Sequence, residues 1–499
     1  MDRPNVLLIS VDHWFGQMIG ALGHPTVLTP TLDQIIMSGV AFTNAYAPTP
    51  SCIPARREIM TGTHARTHGD RVFNEKLPMP QHLPTLAQTF RANGYQTFAV
   101  GKLHVYPPRD RIGFDDILLN EEGRHQFGLR KDDYELYLHD EGYSGQEFGH
   151  GMSHNDYLTR PWHLPEKFHP TNWTAYQMSK AIARRDPRKP SFWYMSFNHP
   201  HPPLAPLAEY MDIYRDLEID EPFTGEWAKD RAKLPYAVRA RRHSPDLYPD
   251  RAVRKARQAF YALATHIDHQ IRLVMGTIRE LDTTGKDPKA YGTYGIAPGK
   301  GTLDNTIIMF TSDHGDMLGN HGMYAKAVMY ENSIKVPLLL MPQASRKDIG
   351  KNRRDDRLAV QADIFPTLMD LCGIPTPPTV EGLSLVGEKK RDYIYGEHWE
   401  NAFATRMVRN RRYKLVYYPV GNRFHMFDLQ NDPNEMHDIS EDSAHAAARK
   451  ELTELLIENL YGDDLRYVKD GKLVGTPDRI VFRPSMPDGS YGNQRGYRY

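Results

Sequence analysis

The sequence predicts an α/β protein with a mainly parallel central sheet sandwiched by helices, followed by a small C-terminal antiparallel α+β subdomain. Short, continuous apolar runs recur along the first part of the chain, and helical patterns lie between them. Continuous apolar runs are typical of strands that are buried on both faces, as in a parallel sheet. After the Pro-rich stretch 375–378, short strand patterns joined by turns replace this alternation and indicate a second unit.

Four of the predicted strands end directly before residues that can carry chemistry. They are 6–11 before Asp12, 97–100 before Gly101 and Lys102, 192–197 before His199 and His201, and 306–311 before Asp313 and His314. In open α/β sheets, ligands bind beyond the carboxyl ends of the strands. We therefore expect these polar side chains to meet at one site.

Predicted helices separate and cover these strands. Their ranges are 29–39, 84–93, 171–185, 251–281 and 364–371. The first has Thr29 as a cap and Pro30 at its first helical position, and the fourth repeats apolar side chains such as Phe260, Leu263 and Ile267 at helical spacing.

The second unit follows the Pro-rich stretch. Its predicted strands are 393–396, 404–410, 413–418 and 424–429, and a helix follows at 444–460. We divide the chain into an α/β domain at 1–385, an α+β subdomain at 386–481 and a tail at 482–499. The tail is rich in Gly, Pro and Tyr and has no periodicity, so it is either disordered or an arm that packs on another subunit of a homo-oligomer.

Composition excludes several classes of function. The 62 basic and 62 acidic residues give zero net charge, which argues against a nucleic-acid partner. Two cysteines, Cys52 and Cys372, cannot build a disulfide framework or a zinc knuckle. The first apolar run is too short for a signal peptide or a membrane span, so we expect a cytoplasmic protein without a membrane partner.

The sharpest local pattern surrounds Cys52. The chain reads Ser51-Cys52-Ile53-Pro54-Ala55-Arg56 and continues to Thr61-Gly62. With this composition, a cysteine followed by proline and a basic residue at these offsets is expected by chance roughly 0.02 times. Two simpler readings of Cys52 are a buried structural residue before a helix and a plain thiol nucleophile, although the latter lacks a Cys/His signature nearby.

This pattern resembles the signature of the sulfatase family, in which the cysteine is oxidised after synthesis to formylglycine. Further family motifs follow in the same order: 4–12, 101–104, 196–203, 312–319 with Lys326, 363–374 and 427–433. The resemblance therefore covers residues 4 to about 440. It implies an alkaline-phosphatase-like fold, close to the choline-sulfatase and phosphonate monoester hydrolase branches.

The resemblance implies hydrolysis of a sulfate monoester, whether aryl, sugar or small alkyl, to an alcohol and inorganic sulfate. One hydroxyl of the hydrated aldehyde attacks sulfur, and the other later loses its proton and expels sulfate. A formylglycine-generating maturation enzyme is the implied partner for Cys52. Since a neutral hydroxyl is a weak nucleophile, a divalent metal and a base are also expected.

The metal ligands implied by the resemblance form one set: Asp12, His13, Cys52, Asp313 and His314. Asp313 would also take the proton of the attacking hydroxyl. Many sulfatases have Asp and Asn in place of His13 and His314 and hold calcium with oxygens alone, whereas imidazole shifts the preference toward manganese. We expect Ca²⁺, with Mn²⁺ as the alternative, and we leave open whether His13 is a ligand or supports one.

The remaining site residues would bind the sulfate group and assist the proton transfers. Lys102 and Lys326 would bind sulfate oxygens, and Arg56 would hold the metal-site oxygens and the formylglycine. His104 would assist deprotonation of the second hydroxyl, and His201 with Lys326 would stabilise the leaving alcohol. Asn74 resembles a further substrate-binding position.

Two alternatives stay open at this point. A phosphonate monoester hydrolase or phosphodiesterase would use the same nucleophile, but that branch carries uncharged hydroxyl residues at the positions of Lys102 and His104. A noncatalytic anion-binding scaffold would have no need of an oxidisable cysteine beside a metal site. The polar-aromatic region 118–170 suits a sugar, an aryl group or a quaternary ammonium equally well.

Overall fold

The computed structural model describes residues 3–124, 128, 131–152, 154–240, 250–281 and 301–479. The strands of this part of the chain are β1 (Asn5–Val11), β2 (Val40–Tyr46), β3 (Gln96–Gly101), β4 (Asp116–Leu119), β5 (Ser191–Ser196), β6 (Thr306–Ser312), β7 (Leu338–Met341), β8 (Arg353–Val360), β9 (Tyr393–His398), β10 (Thr405–Asn410), β11 (Tyr413–Tyr418), β12 (Arg423–Asp428), β13 (Val468–Lys469) and β14 (Lys472–Leu473). The α-helices are α1 (Pro30–Met37), α2 (Cys52–Thr61), α3 (Ala65–His68), α4 (Leu86–Ala92), α5 (Asp133–Asp140), α6 (Pro170–Ala183), α7 (Ala208–Arg215), α8 (Glu226–Lys229), α9 (Tyr236–Arg239), α10 (Asp250–Glu280), α11 (Glu331–Ile334), α12 (Ile364–Cys372) and α13 (Ala446–Asn459).

The large sheet has the strand order β4-β3-β5-β1-β6-β7-β2-β8 in the described residues. Only β7 runs antiparallel to its neighbours β6 and β2 within this described sheet. The mainly parallel central sheet predicted from the apolar runs is thereby confirmed. The four strands that were predicted before chemical residues are β3, β5, β1 and β6, and they are consecutive in the sheet in this order.

Strand β1 shows why the sheet is covered on both sides. Its alternate residues enter two different hydrophobic cores: Leu7 and Ile9 pack with residues of α1, α6 and α10, whereas Val6 and Leu8 pack with residues of α2, α4 and α12. Every residue of β1 is buried. A strand that faces helices on both sides needs apolar residues at successive positions, and this explains the continuous run.

The small sheet has the order β12-β11-β10-β9 and is antiparallel. On one face, Val408 and Leu415 pack against Leu452 and Leu456 of α13. The other face packs against residues that follow β6. The predicted α+β subdomain is confirmed as an architecture, while the boundary at 385/386 stays a prediction and the tail 482–499 lies outside the described residues.

Several elements went unrecognised in the sequence. Strand β2 contains Thr43 and Asn44, which are only half-buried, and β7 has four residues, so neither presents a long apolar run. The polar-aromatic region 118–170 contains α5, which begins with Asp132 as its cap. None of the helices among the described residues is both long and apolar enough to cross a membrane.

Candidate active site

The carboxyl ends of the central strands meet at one edge of the large sheet, where α2 also begins. This edge brings together Asp12 after β1, Lys102 after β3, Asp313 after β6, and Cys52 at the start of α2. Gly101 has a φ of 104°, and a Cβ at this position would clash with the carbonyl oxygen of Ser196. Glycine therefore lets β3 pass close to β5 and direct Lys102 into the site.

Four buried side chains form a candidate cation site. The ligand atoms of Asp12, Cys52, Asp313 and His314 all lie within 4.8 Å of one another. His314 Nε2 is 3.3 Å from Cys52 Sγ, and it is 3.5 Å from Asp12 Oδ1 and 3.6 Å from Asp313 Oδ1. Here Cys52 Sγ stands where a formylglycine oxygen would lie.

The donor set suits a divalent cation. Two carboxylates supply hard oxygens, and the Nδ1 of His314 donates to the carbonyl of Gly315 at 3.0 Å, which leaves its Nε2 lone pair facing the carboxylates. Without an ion, neighbouring Asp313 raises the pKa of His314 despite the opposing effect of burial. The same residues would hold the metal that the family resemblance implies.

His13 is not one of these four residues. It belongs to a second group with Asp12 and His201. Its Nδ1 lies 2.5 Å from Asp316 Oδ2, and its Nε2 accepts from Lys326 Nζ at 2.6 Å and lies 3.7 Å from Asp12 Oδ1. His13 therefore links Lys326 to the cation site, and its role as a metal ligand stays a prediction.

Lys102 and Arg56 place a positive charge next to Asp12 and Asp313, respectively. Lys102 Nζ lies 2.5 Å from Asp12 Oδ2 and 2.8 Å from Glu122 Oε2. Arg56 Nε donates to Asp313 Oδ2 at 3.0 Å. Burial alone would raise the pKa of the Asp12 carboxyl, but Lys102 and the nearby imidazoles hold it well below its usual range. Asp12 is thus kept ionised, and both aspartates are held in place by a neighbouring cation.

The imidazoles of His104 and His201 are neutral. Burial lowers the pKa of His104 well below its usual value, and Arg124 and Lys102 lower it further. Burial also lowers the pKa of His201, although Glu122 opposes the shift. The ring of His201 lies between those of His13 and His154, with centroid distances of 4.3 and 4.8 Å.

Positive φ values cluster at this site. They are 70° at His13, 57° at His104, 56° at Glu122, 59° at Ala325 and 73° at Ala327, on both sides of Lys326. Such conformations are costly for residues with a Cβ and persist where the surrounding structure imposes them. Five such residues therefore adjoin the charged side chains of the site, and others occur elsewhere in the described part of the chain.

Comparison with known proteins decides the family. Residues 4–289 match the Sulfatase family model, and residues 319–461 match the C-terminal model of N-sulphoglucosamine sulphohydrolase. An arylsulfatase of Clostridium perfringens is 33% identical, with 95% of this chain and 97% of that protein covered. The chain belongs to the sulfatase family. The predicted enzyme class, a sulfuric ester hydrolase, is supported by this membership and by that relative.

Other relatives agree with this assignment. A choline-sulfatase of Rhizobium meliloti is 26% identical over 90% of this sulfatase and 85% of its own length. The phosphonate monoester hydrolase of Agrobacterium radiobacter has the same fold, with a TM-score of 0.74, 24% identity, and 94% of this chain and 98% of that chain covered. The alkaline-phosphatase-like fold expected from the sequence is confirmed.

The sulfatase site contains residues that sequence reasoning missed. Glu122 bonds both Lys102 and Arg124, with Arg124 Nη2 at 2.8 Å from Glu122 Oε2, and Asp316 holds His13. Tyr157 also donates to Asp316. Glu122 follows β4 by three residues, so the rule applied to the other strand ends would have found it.

Asn74 differs from the other predicted site residues in its surroundings. It is exposed, whereas the cation-site residues are buried, and its Oδ1 accepts from the backbone N–H of Lys76 at 3.1 Å. Its substrate-binding role stays a prediction.

Proposed function

We propose that this sulfatase hydrolyses a sulfate monoester to an alcohol and inorganic sulfate, using formylglycine made from Cys52 and one divalent cation. The observation that carries the proposal is the buried group of Cys52, Asp12, Asp313 and His314, with Lys102 and Arg56 against its carboxylates. A binding scaffold has no use for an oxidisable side chain in such a group. Fixed cations around the reacting position suit the nonreacting oxygens of a tetrahedral anion.

The formylglycine hydrate would supply the nucleophilic oxygen, and the cation would lower the pKa of that oxygen and neutralise charge. Asp313 is placed to take the proton, because Arg56 Nε donates to its Oδ2 at 3.0 Å and its other oxygen, Oδ1, belongs to the cation site. His104 is neutral in its buried position and is therefore able to accept a proton from a hydroxyl of residue 52. These assignments follow the roles that the sequence motifs predict.

Lys326 and His201 are assigned to the side of the leaving alcohol. The ammonium of Lys326 donates to His13 Nε2 at 2.6 Å, and Asp316 fixes that imidazole from the other side. The Nδ1–H of His201 donates a hydrogen bond to the carbonyl of Pro202 at 2.5 Å, so the Nε2 of this ring is an acceptor. Lys326 is thus the proton donor of the pair, and His201 Nε2 can accept a hydrogen bond from the alcohol hydroxyl once that proton has been transferred.

Two measurements test the nucleophile. In the mature enzyme, the peptide that contains Cys52 should be lighter by about 18 Da than its unmodified form. Cys52→Ala should fold and lose turnover of 4-nitrophenyl sulfate, and Cys372→Ala is the matched control because Cys372, the last residue of α12, is buried in the hydrophobic core. Full activity of Cys52→Ala would contradict the mechanism.

The same preparation tests the reaction class. Turnover of 4-nitrophenyl sulfate should exceed that of a phenyl phosphonate monoester, because Lys102 and His104 take the places where the phosphonate branch has uncharged hydroxyl residues. The reverse order would favour a phosphonate monoester hydrolase or phosphodiesterase.

For the cation, we propose Ca²⁺ because two carboxylates and the formylglycine supply oxygens, with Mn²⁺ as the alternative because His314 supplies nitrogen. Metal analysis of the purified enzyme identifies the bound ion independently of activity. After equilibration with equal concentrations of Ca²⁺ and Mn²⁺, His314→Asn should bind a larger share of Ca²⁺ than the wild type does, and an unchanged Ca²⁺/Mn²⁺ ratio would contradict a role of the imidazole nitrogen in metal preference.

A further inference from the structure

A cavity adjoins the active site, and several of the polar atoms that line it are buried and have no hydrogen-bond partner among the described residues. The space that the cavity encloses is about 420 Å³, counting space open to solvent. Its wall includes His201 and Glu122, and Glu122 Oε2 lies 2.8 Å from Lys102 Nζ. The cavity therefore meets the catalytic residues on the side assigned to the leaving alcohol.

Six polar side-chain atoms of the cavity wall are buried and have no hydrogen-bond partner among the described residues. They are Asn120 Nδ2, His154 Nδ1, Trp162 Nε1, Asn198 Oδ1, His199 Nε2 and His201 Nε2. Buried polar groups are nearly always paired in folded proteins. Six such atoms around one cavity point to a bound molecule that pairs with them.

Three of these atoms are donors. The amide of Asn198 donates to Asn120 Oδ1 at 2.7 Å, which leaves Asn120 Nδ2 as a donor. Arg124 Nη2 lies 2.8 Å from His154 Nε2, and since a guanidinium can only donate, the proton of the neutral His154 ring is on Nδ1. Burial lowers the pKa of His154 to about 4, which keeps the ring neutral. The third donor is the indole N–H of Trp162.

The other three atoms are acceptors. The contact that makes Asn120 Nδ2 a donor also leaves Asn198 Oδ1 as an acceptor. His199 donates from Nδ1 to the carbonyl of His201 at 3.2 Å, and His201 donates from Nδ1 to the carbonyl of Pro202 at 2.5 Å. A neutral imidazole that donates from Nδ1 accepts at Nε2. The cavity thus offers donors and acceptors in equal number.

Hydroxyl groups match this set because each one both donates and accepts. An unsubstituted aryl or alkyl group, or a quaternary ammonium, would leave all six atoms unpaired in a buried place, and a second anionic group would pair only with the donors. The rings of Phe148, Tyr134 and Trp162 also line the cavity and suit the C–H faces of a sugar ring.

We propose that this cavity binds the leaving-group moiety of the substrate and selects a neutral, polyhydroxylated ring, so that the natural substrate is a sugar sulfate. This inference rests on the proposed function, since the bound ring must carry the sulfate ester.

The first test compares substrates on the mature wild-type enzyme. The glucose monosulfates at positions 2, 3, 4 and 6 are set against cyclohexyl sulfate and cyclohexylmethyl sulfate, which keep a six-membered ring but have no hydroxyls, and against choline sulfate. The best glucose sulfate should exceed all three in kcat/KM by about 10²-fold, because a site built for hydroxyls rejects analogues that lack them.

The second test changes the cavity wall. Trp162→Phe keeps an aromatic ring and removes one donor, so the kcat/KM ratio of the best glucose sulfate to 4-nitrophenyl sulfate should fall about 5-fold. Trp193→Phe is the matched control, because its indole Nε1 is also buried without a partner among the described residues but lies in β5, outside the cavity. That control should leave the ratio unchanged.

The outcomes separate the two proposals. If 4-nitrophenyl sulfate is hydrolysed but the cyclohexyl sulfates or choline sulfate match or exceed every glucose sulfate, the cavity holds water or another group and the inference is wrong. An unchanged ratio in Trp162→Phe also overturns it. If the mature enzyme hydrolyses no sulfate ester, the proposed function fails and the substrate assignment fails with it.

Discussion

This sulfatase contains two buried networks of charged side chains that are built from the same residue types but differ in role. The first network, which we propose to be catalytic and call the catalytic cluster, consists of Asp12, Arg56, Lys102, Glu122 and Asp313. The Arg406 network consists of Arg71, Glu397, Arg406, Tyr461 and Asp464 and joins the loop after α3 to the small sheet. Lys102 and Arg406 are both fully buried, so burial of charge alone does not distinguish a reactive site from a structural one.

The difference lies in how each network is completed. Arg406 makes a two-point contact with Asp464, with nitrogen–oxygen distances of 2.7 and 2.8 Å, and its remaining nitrogen donates to backbone carbonyls. The catalytic cluster instead lies around Cys52, whose Sγ is 3.3 Å from His314 Nε2. Among the described residues, the groups of His, Cys, Asp and Glu that are suited to a metal all lie at or beside the catalytic cluster. A group of side chains that can hold a cation therefore distinguishes the catalytic cluster from the Arg406 network.

The largest effect is expected from a substitution that breaks the Arg406 network. Arg406→Met should lower the free energy of unfolding by about 3–5 kcal/mol, because it leaves Asp464 as a buried charge that has lost a partner. The folded fraction should keep its kcat toward 4-nitrophenyl sulfate. Urea unfolding followed by circular dichroism measures the change, and Arg411→Met, at an exposed position near the end of β10, is the control that should unfold like the wild type.

The next largest effect is expected from a substitution that breaks the catalytic cluster. Lys102→Ala should lower kcat/KM by about 10²–10³-fold, because it removes a fixed cation from the position of the transferred anion. Lys414→Ala is the matched control: Lys414 is also fully buried, but it pairs with Glu331 and Glu435 beneath the small sheet. Lys414→Ala should lower stability and leave the kcat of the folded enzyme unchanged, and equal losses of activity in both variants would contradict the distinction.

The sequence predicts the parts of these networks that follow from a local residue pattern. The strands β1, β3, β5 and β6 were predictable because burial on both faces imposes continuous apolar runs, and their carboxyl ends located Asp12, Lys102 and Asp313. The antiparallel β7 and the half-polar β2 gave no such run.

Glu122 lies three residues after β4, within reach of the strand-end rule, although that rule was not applied there. Asp316 was not predicted, because its importance depends on which imidazole it meets after folding. The Arg406 network was unpredictable for the same reason. Arg71 and Asp464 are 393 positions apart and become partners only when the small sheet docks. An arginine in a strand pattern gives no local sign that it will be buried.

A smaller effect tests how the catalytic cluster is supported. Asp316→Asn keeps the shape of the side chain but removes the charge that faces His13 Nδ1. Since partners that orient a site imidazole typically contribute 10–100-fold, we expect kcat/KM to fall by about that factor with little change in unfolding. Asp464→Asn is the corresponding change in the Arg406 network and should reverse the pattern, with lower stability and unchanged kcat. Wild-type activity of Asp316→Asn would mean that His13 does not depend on this carboxylate.

The smallest effect comes from removing one hydroxyl in each region. Tyr157 donates to Asp316 beside the catalytic cluster, and Tyr461 donates to Glu397 at 3.0 Å in the Arg406 network. Each hydrogen bond is expected to contribute about 0.5–1.5 kcal/mol. Tyr461→Phe should lower the free energy of unfolding by that amount without changing kcat. Tyr157→Phe should lower kcat/KM by roughly 2- to 10-fold, because the lost bond holds the carboxylate that orients His13. Since the two substitutions are chemically identical, opposite responses would show that the position of a hydrogen bond, rather than its strength, decides whether it serves catalysis or stability.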